Sequence, residues 1–184
     1  MYRPQFEAAL RLLARVSEGM VLQGKRRPIL VGGAAVEFYS GSAISTGDFD
    51  LCTPAQDTLE EEMRKVGFER PSGAGKSLRG WVHPDLALGF EVVADVPMDG
   101  NIDRSTLLLV ENVVPEGAFV VVSIEDLIAD RVGQWHSGSV PDRLEQAARL
   151  LGIHASLDND YLERRIREET MGEHGIETVR TQIS

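Results

Sequence analysis

Cysteine, long apolar runs and positive charge are all scarce in this chain. The one cysteine, Cys52, can form neither an internal disulfide nor a cysteine-rich zinc site. It sits in Phe49-Asp50-Leu51-Cys52, where a small buried hydrophobe is the expected role. No segment approaches the roughly 18 apolar residues of a membrane span. The first residues carry Glu7, Arg11, Arg15 and Glu18 in place of a signal-peptide core. A cytoplasmic protein with no membrane partner is therefore expected. Lysine and arginine number 19 against 29 acidic residues, a net charge of −10. That field repels nucleic acid, so non-specific backbone binding would need a local basic patch.

Familiar catalytic patterns are missing too. His83, His136, His154 and His174 form no H-E-x-x-H or comparable ligand pair. No serine sits in a nucleophile elbow. Ser72-Gly73-Ala74-Gly75-Lys76-Ser77 looks like a phosphate loop, but Arg70 stands where its first glycine belongs. The loop also follows a helical pattern where a strand is required. Lys76 and Arg79 read as cations of a solvated loop, within reach of a nucleotide or acceptor phosphate.

The chain has 184 residues, 42% hydrophobic and 26% charged, enough to bury a core without covalent staples. Phe6, Leu10, Leu13 and Val16 recur at helical spacing and predict an amphipathic helix over residues 4–19. Residues 28–31 form a short strand ending at Gly32-Gly33, and residues 34–39 read as helical. Residues 48–53 alternate acid and apolar, a second strand. A helix is predicted over residues 58–66, with Thr58 and Glu61 as a capping box and Gly67 as its stop. Residues 81–83 and 88–96 read as strands about a Pro84-Asp85 turn, followed by strands at 107–110 and 119–122.

From Ser123 the pattern turns helical, over residues 124–135, 142–151 and 161–168. Ser123 followed by Glu125-Asp126 is a helix start. Beyond Met171 the periodicity is weak, as in a mobile chain end. The expected class is α+β: a small mixed sheet with flanking helices, then a C-terminal helical region. The expected division is an α/β core with its N-terminal helix over residues 1–122 and a helical region over residues 123–184.

The chemistry concentrates in residues 29–53, ILVGGAAVEFYSGSAISTGDFDLCT. Asp48 and Asp50 are two apart on a strand, so they point to one face with Cα atoms roughly 6.5 Å apart. Phe49 and Leu51 face the other way, into a core. Two like charges on one face destabilise each other, and a divalent cation removes that penalty. A D-x-D alone recurs in many exposed strands, and a Gly-Gly alone makes many tight turns. Together, with Gly32-Gly33 between a strand and a helix, they combine a carboxylate pair with a backbone that admits a phosphate closely.

This arrangement resembles the signature of the DNA polymerase beta nucleotidyltransferase superfamily, in which strand, Gly-Gly and helix are followed by D-x-D on the next strand. Within it, the chain is similar to minimal nucleotidyltransferases and to the nucleotidyltransferase toxins of abortive-infection systems. Many of those read R-x-T-x-D-x-D. Thr46, Asp48 and Asp50 match, while Ile44 stands at the arginine. The resemblance implies that Asp48, Asp50 and a third carboxylate bind Mg²⁺ or Mn²⁺, and that Gly32, Gly33 and Thr46 contact the nucleotide. Strict alternation would put Glu91 and Asp95 on one face of the next strand. Glu91 is the first choice for the third acid and Asp95 the alternate; the less favoured reading of either is an ordinary solvent-facing acid on a half-exposed sheet.

A second, looser resemblance covers Val122 to Arg131, like a strand followed by an E-D-L-x-x-x-K helix. Arg131 takes the lysine position, implying a triphosphate-contacting cation of altered geometry. Asp142 matches an acid that begins the next helix, where a plain N-cap is the simpler reading. The implied activity is transfer of a nucleoside monophosphate from an NTP to a hydroxyl on a protein, an RNA end or a small molecule. The alternative is a non-catalytic module of the same fold with a protein partner, as in a toxin–antitoxin pair.

Overall fold

The computed structural model describes residues 2–45, 47–71, 80–86 and 88–183. Two units divide the chain, Met1–Val122 and Ser123–Ser184. In the first, α1 spans Pro4–Leu22. Proline opens it, where a missing N–H costs nothing. Phe6, Leu10, Leu13, Val16 and Met20 form its buried stripe. The helix runs past the predicted end because its stop is Gly24, at φ +71°. There the N–H of Lys25 donates to Met20 O and that of Gly24 to Val21 O, both at 2.9 Å. This left-handed glycine cap lies well beyond Val16, the last apolar stripe residue the periodicity counted.

Six strands form one sheet: β1 Ile29–Val31, β2 Phe49–Cys52, β3 Trp81–His83, β4 Leu88–Ala94, β5 Leu108–Val114 and β6 Gly117–Val121. Their order is β3-β4-β2-β1-β6-β5. The pairs β1/β6 and β2/β4 are parallel, and β1/β2, β3/β4 and β5/β6 are antiparallel. Helix α2, Gly32–Tyr39, links β1 to β2, and α3, Gln56–Lys65, follows β2. Leu30, Phe49, Leu51, Phe90, Phe119 and Val121 supply the buried face. Phe49 stacks on Phe90 with centroids 4.7 Å apart, and α1 adds Phe6 at 5.2 Å from Phe49. On α2, Phe38 meets Phe119 edge-on at 5.7 Å. Helices thus cover this face, as the α+β class requires.

Two local expectations are corrected. Helix α3 begins at Gln56, so Thr58 lies inside its first turn and caps nothing. The Thr53 hydroxyl accepts the Ala55 N–H at 3.1 Å, just ahead of a helix that starts two residues early. On β4, Leu51 pairs with Val92 but Cys52 with Ala94. This bulge leaves Val93 as the extra residue, 50% exposed, and breaks the alternation that linked Glu91 to Asp95. The glycine-rich loop of residues 72–79, with its phosphate-loop look-alike, Lys76 and Arg79, lies outside the described residues.

The second unit holds α4 Ile124–His136, α5 Arg143–Ile153, α6 Asn159–Glu169 and α7 Ile176–Arg180. Ser123 caps α4, its hydroxyl accepting the Asp126 N–H at 3.0 Å. Asp142 precedes α5, but its carboxylate takes the Gln146 side chain and no backbone N–H. The stretch after Met171 carries α7, whose Ile176 and Val179 are buried. Two apolar residues in a five-residue helix are too few for a period to register. Among the described residues, no helix is long and apolar enough to cross a membrane.

Candidate functional site

The sheet face opposite the phenylalanine core gathers the acids. Asp50 pairs with Val31 on one side and with Glu91 on the other. Residues in register on neighbouring strands share a face about 4.8 Å apart, so the Asp50 and Glu91 side chains are direct neighbours. Asp48 precedes β2, exposed, and its Oδ1 accepts the Gly89 N–H at 2.8 Å. A Cβ on Gly89 would lie 3.0 Å from that oxygen. Gly89 and Glu91 project to the same side of β4. The Asp48 carboxylate therefore rests on the Asp50–Glu91 face, over a gap that glycine leaves open.

Gly32 does the same for Asp50. It takes φ +64° at the start of α2, and a Cβ there would collide with the Asp50 carboxylate, lying 2.9 Å even from Asp50 Cβ. The double glycine thus sets the first backbone turn of α2 against Asp50, and Gly33 continues that turn. Free N–H groups at such a helix start are suited to phosphate. A small residue at both contact points lets the three carboxylates share one patch.

The patch is an array rather than a tight cage. Among the described residues, the three-member group whose ligand atoms all lie within 4.8 Å of one another is a different one, His136, Glu173 and His174. Strand spacing separates Asp50 from Glu91, and the pleat repeat separates Asp48 from Asp50. A spread of that kind suits two divalent ions roughly 3.5–4 Å apart better than one. The donors are all carboxylate oxygens, the type Mg²⁺ and Mn²⁺ favour. The residues present therefore fit the expected metal.

Glu91 also borders a cleft of about 390 Å³ lined by Glu60, Arg70, Gly80 and Trp81. Arg70 lies 5.1 Å from the Trp81 ring and donates to Glu60 at 2.7 Å. Burial would push the Glu60 carboxyl up, but hydrogen bonds from Gln56 and Arg70 hold it below the usual range. Asp95, the alternate third acid, lies beyond the end of β4. It lines a separate pocket of about 290 Å³ with Arg26, Arg27 and Arg104.

Thr46 lies outside the described residues. Arg131 belongs to the second unit, on α4, where it is 3% exposed and donates from Nε to Asp130 at 3.0 Å. Gly89 is the site residue that sequence reasoning missed. Its signal was a glycine inside a strand two residues before Glu91, which marks close approach.

The sequence matches no family model and no curated protein. Among solved structures, the chain is similar to an antigenic nucleotidyltransferase-like protein from Paracoccidioides brasiliensis. The two share 14% identity at a TM-score of 0.62, over 100% of this chain and 94% of that one. The likeness shows that this chain has a nucleotidyltransferase-like fold.

Proposed function

We propose that the chain is a metal-dependent nucleotidyltransferase that moves a nucleoside monophosphate from an NTP to an acceptor hydroxyl. The observation that carries this reading is the register of Asp50 against Glu91, with Gly32 clearing space for the Asp50 carboxylate. A structural patch has no use for two facing acids and a side-chain-free backbone turned toward them.

Asp48, Asp50 and Glu91 would hold Mg²⁺ or Mn²⁺, which when bound neutralises triphosphate charge and acidifies a nearby hydroxyl. Backbone N–H groups at Gly32 and Gly33 would receive the phosphates. The cleft beside Glu91 would admit the acceptor, its hydroxyl oxygen in line with the α-phosphorus. A new oxygen–phosphorus bond forms, the bond to pyrophosphate breaks, and the hydroxyl proton leaves to water. The acceptor is a protein, an RNA end or a small molecule, and the reaction belongs to the cytoplasm.

A second reading, a non-catalytic partner module such as one half of a toxin–antitoxin pair, draws on Arg131. Its guanidinium is already paired with Asp130, which competes for the charge that the resemblance gives to the triphosphate. Ile44 at the arginine position points the same way. Labelled-NTP transfer in lysate, wild type against Asp48→Ala, decides between them. Label carried by wild type and lost in the variant supports the enzyme. Equal labelling removes the proposed site, and no magnesium-dependent heat with any NTP in calorimetry favours the module.

A further inference from the structure

Two imidazoles and a carboxylate meet in the second unit, and nucleotidyl transfer uses none of them. His136 is the last residue of α4, and Glu173 and His174 lie in the turn between α6 and α7. One ligand atom from each lies within 4.8 Å of the other two. The imidazoles stand edge to face with centroids 5.2 Å apart. His136 Nδ1 and Glu173 Oε2 are 3.9 Å apart, too far for a hydrogen bond. The three groups converge without satisfying one another directly.

The turn that presents them is built. Met171 at φ +53° and Gly172 at φ +86° reverse the chain. Arg167 O accepts the Gly172 N–H at 2.7 Å, and Arg167 Nη1 donates to Gly172 O at 3.2 Å. Thr170 is buried. Its hydroxyl accepts the His174 N–H at 3.2 Å and donates to Ile166 O at 2.8 Å. The His174 ring packs on Trp135 at 4.9 Å, with Thr178 Oγ1 3.5 Å from its Nδ1. A partner on one ring nitrogen orients the other, as in histidines that bind metal.

We propose that His136, Glu173 and His174 form a Zn²⁺ site with a fourth position for water or an outside group. Two imidazoles with one carboxylate suit Zn²⁺ better than Mg²⁺ or Ca²⁺, which prefer oxygen ligands. Tetrahedral bonds of about 2.0–2.1 Å put ligand atoms roughly 3.3 Å apart, so His136 Nδ1 and Glu173 Oε2, now 3.9 Å apart, must draw closer. The Glu173 side chain, 66% exposed, can supply that by changing rotamer. The site pins the end of α4 to the α6–α7 turn. The simpler account lets His136 suit a helix C-terminus and His174 pack on Trp135, but it gives no reason for both rings and a carboxylate to share one group.

Zn²⁺ titration of the chelator-stripped full chain by calorimetry tests this, with Co²⁺ absorption as a second readout. Wild type should take up one equivalent and gain thermal stability on doing so. Loss of an outer partner alone weakens metal sites roughly 10–100-fold, so His136→Ala and Glu173→Gln should each weaken binding at least tenfold. Asp50→Asn, in the other unit, should leave this event unchanged. Glu173 is a surface residue, so that variant stays informative if a histidine variant misfolds. No saturable binding, binding unchanged in both ligand variants, or binding lost only with Asp50→Asn would overturn the proposal.

Discussion

Asp126 Oδ1 accepts a hydrogen bond from Arg165 Nε at 2.7 Å, and both side chains are fully buried. The Ser123 hydroxyl donates to the same carboxylate at 2.6 Å and the Tyr161 hydroxyl at 3.0 Å. Arg165 therefore carries a charge that its partners alone make tolerable. Arg165→Met should destabilise the protein by about 3–5 kcal/mol, because it leaves a buried carboxylate without its cation. The double variant Asp126→Leu with Arg165→Met should lose less than the single one. Urea unfolding of all three proteins measures both, and a double variant weaker than the single one contradicts the account.

Gly32 and Gly41 both take left-handed backbone, at φ +64° and +58°, but only Gly32 faces an obstacle. A Cβ on Gly41 meets nothing within 4 Å, whereas one on Gly32 strikes Asp50. Gly41→Ala should show the backbone term alone, about 1–2 kcal/mol. Gly32→Ala should be clearly worse, and the difference between them isolates the fit to Asp50. Equal midpoints in thermal unfolding would mean that the carboxylate swings aside freely.

Much of this architecture was legible in local pattern. The stripe of α1, the strand ahead of Gly32-Gly33 and the alternation of Asp48 and Asp50 against Phe49 and Leu51 each show in a few adjacent residues. What escaped depends on partners distant in sequence. The β4 bulge at Val93 interrupts a run, Phe90, Val92, Ala94, that alternates perfectly on paper; only pairing with β2 reveals it. Asp126 reads as first-turn acidity, which is true of its backbone, but its carboxylate answers to Arg165. Gly89 meets Asp48 across the sheet, and His136 meets His174 through a reversal at Met171 and Gly172 that periodicity does not encode.

Acid should loosen the last helix. The Ile176 N–H donates to Glu163 Oε2 at 2.7 Å and Arg167 donates to Oε1 at 2.7 Å. The Ile176 N–H first, and then Arg167, hold this carboxyl below the usual range against the opposing effect of burial. A lowered folded value adds stability that is complete above the ordinary value of about 4.3. It is lost as pH falls through the folded value. Glu163→Gln should therefore melt below wild type at pH 6, with the gap narrowing toward pH 3. A gap that stays constant would place the contact outside the folding equilibrium.

Glu91 separates the functional from the structural meaning of the acidic face. It stands in register beside Asp50, and like charges directly opposite on neighbouring strands are destabilising by up to about 1 kcal/mol. Glu91→Gln keeps the shape and removes that repulsion. An acid retained for folding should weaken the protein when neutralised. An acid retained for transfer should leave the melting temperature equal or higher while labelled-NTP transfer drops by about 100-fold or more, as expected when a fixed charge is removed from a reacting centre. Measuring both on one preparation gives the answer directly. Full transfer with Glu91→Gln removes Glu91 from the reaction, and a lowered melting temperature assigns it to the fold.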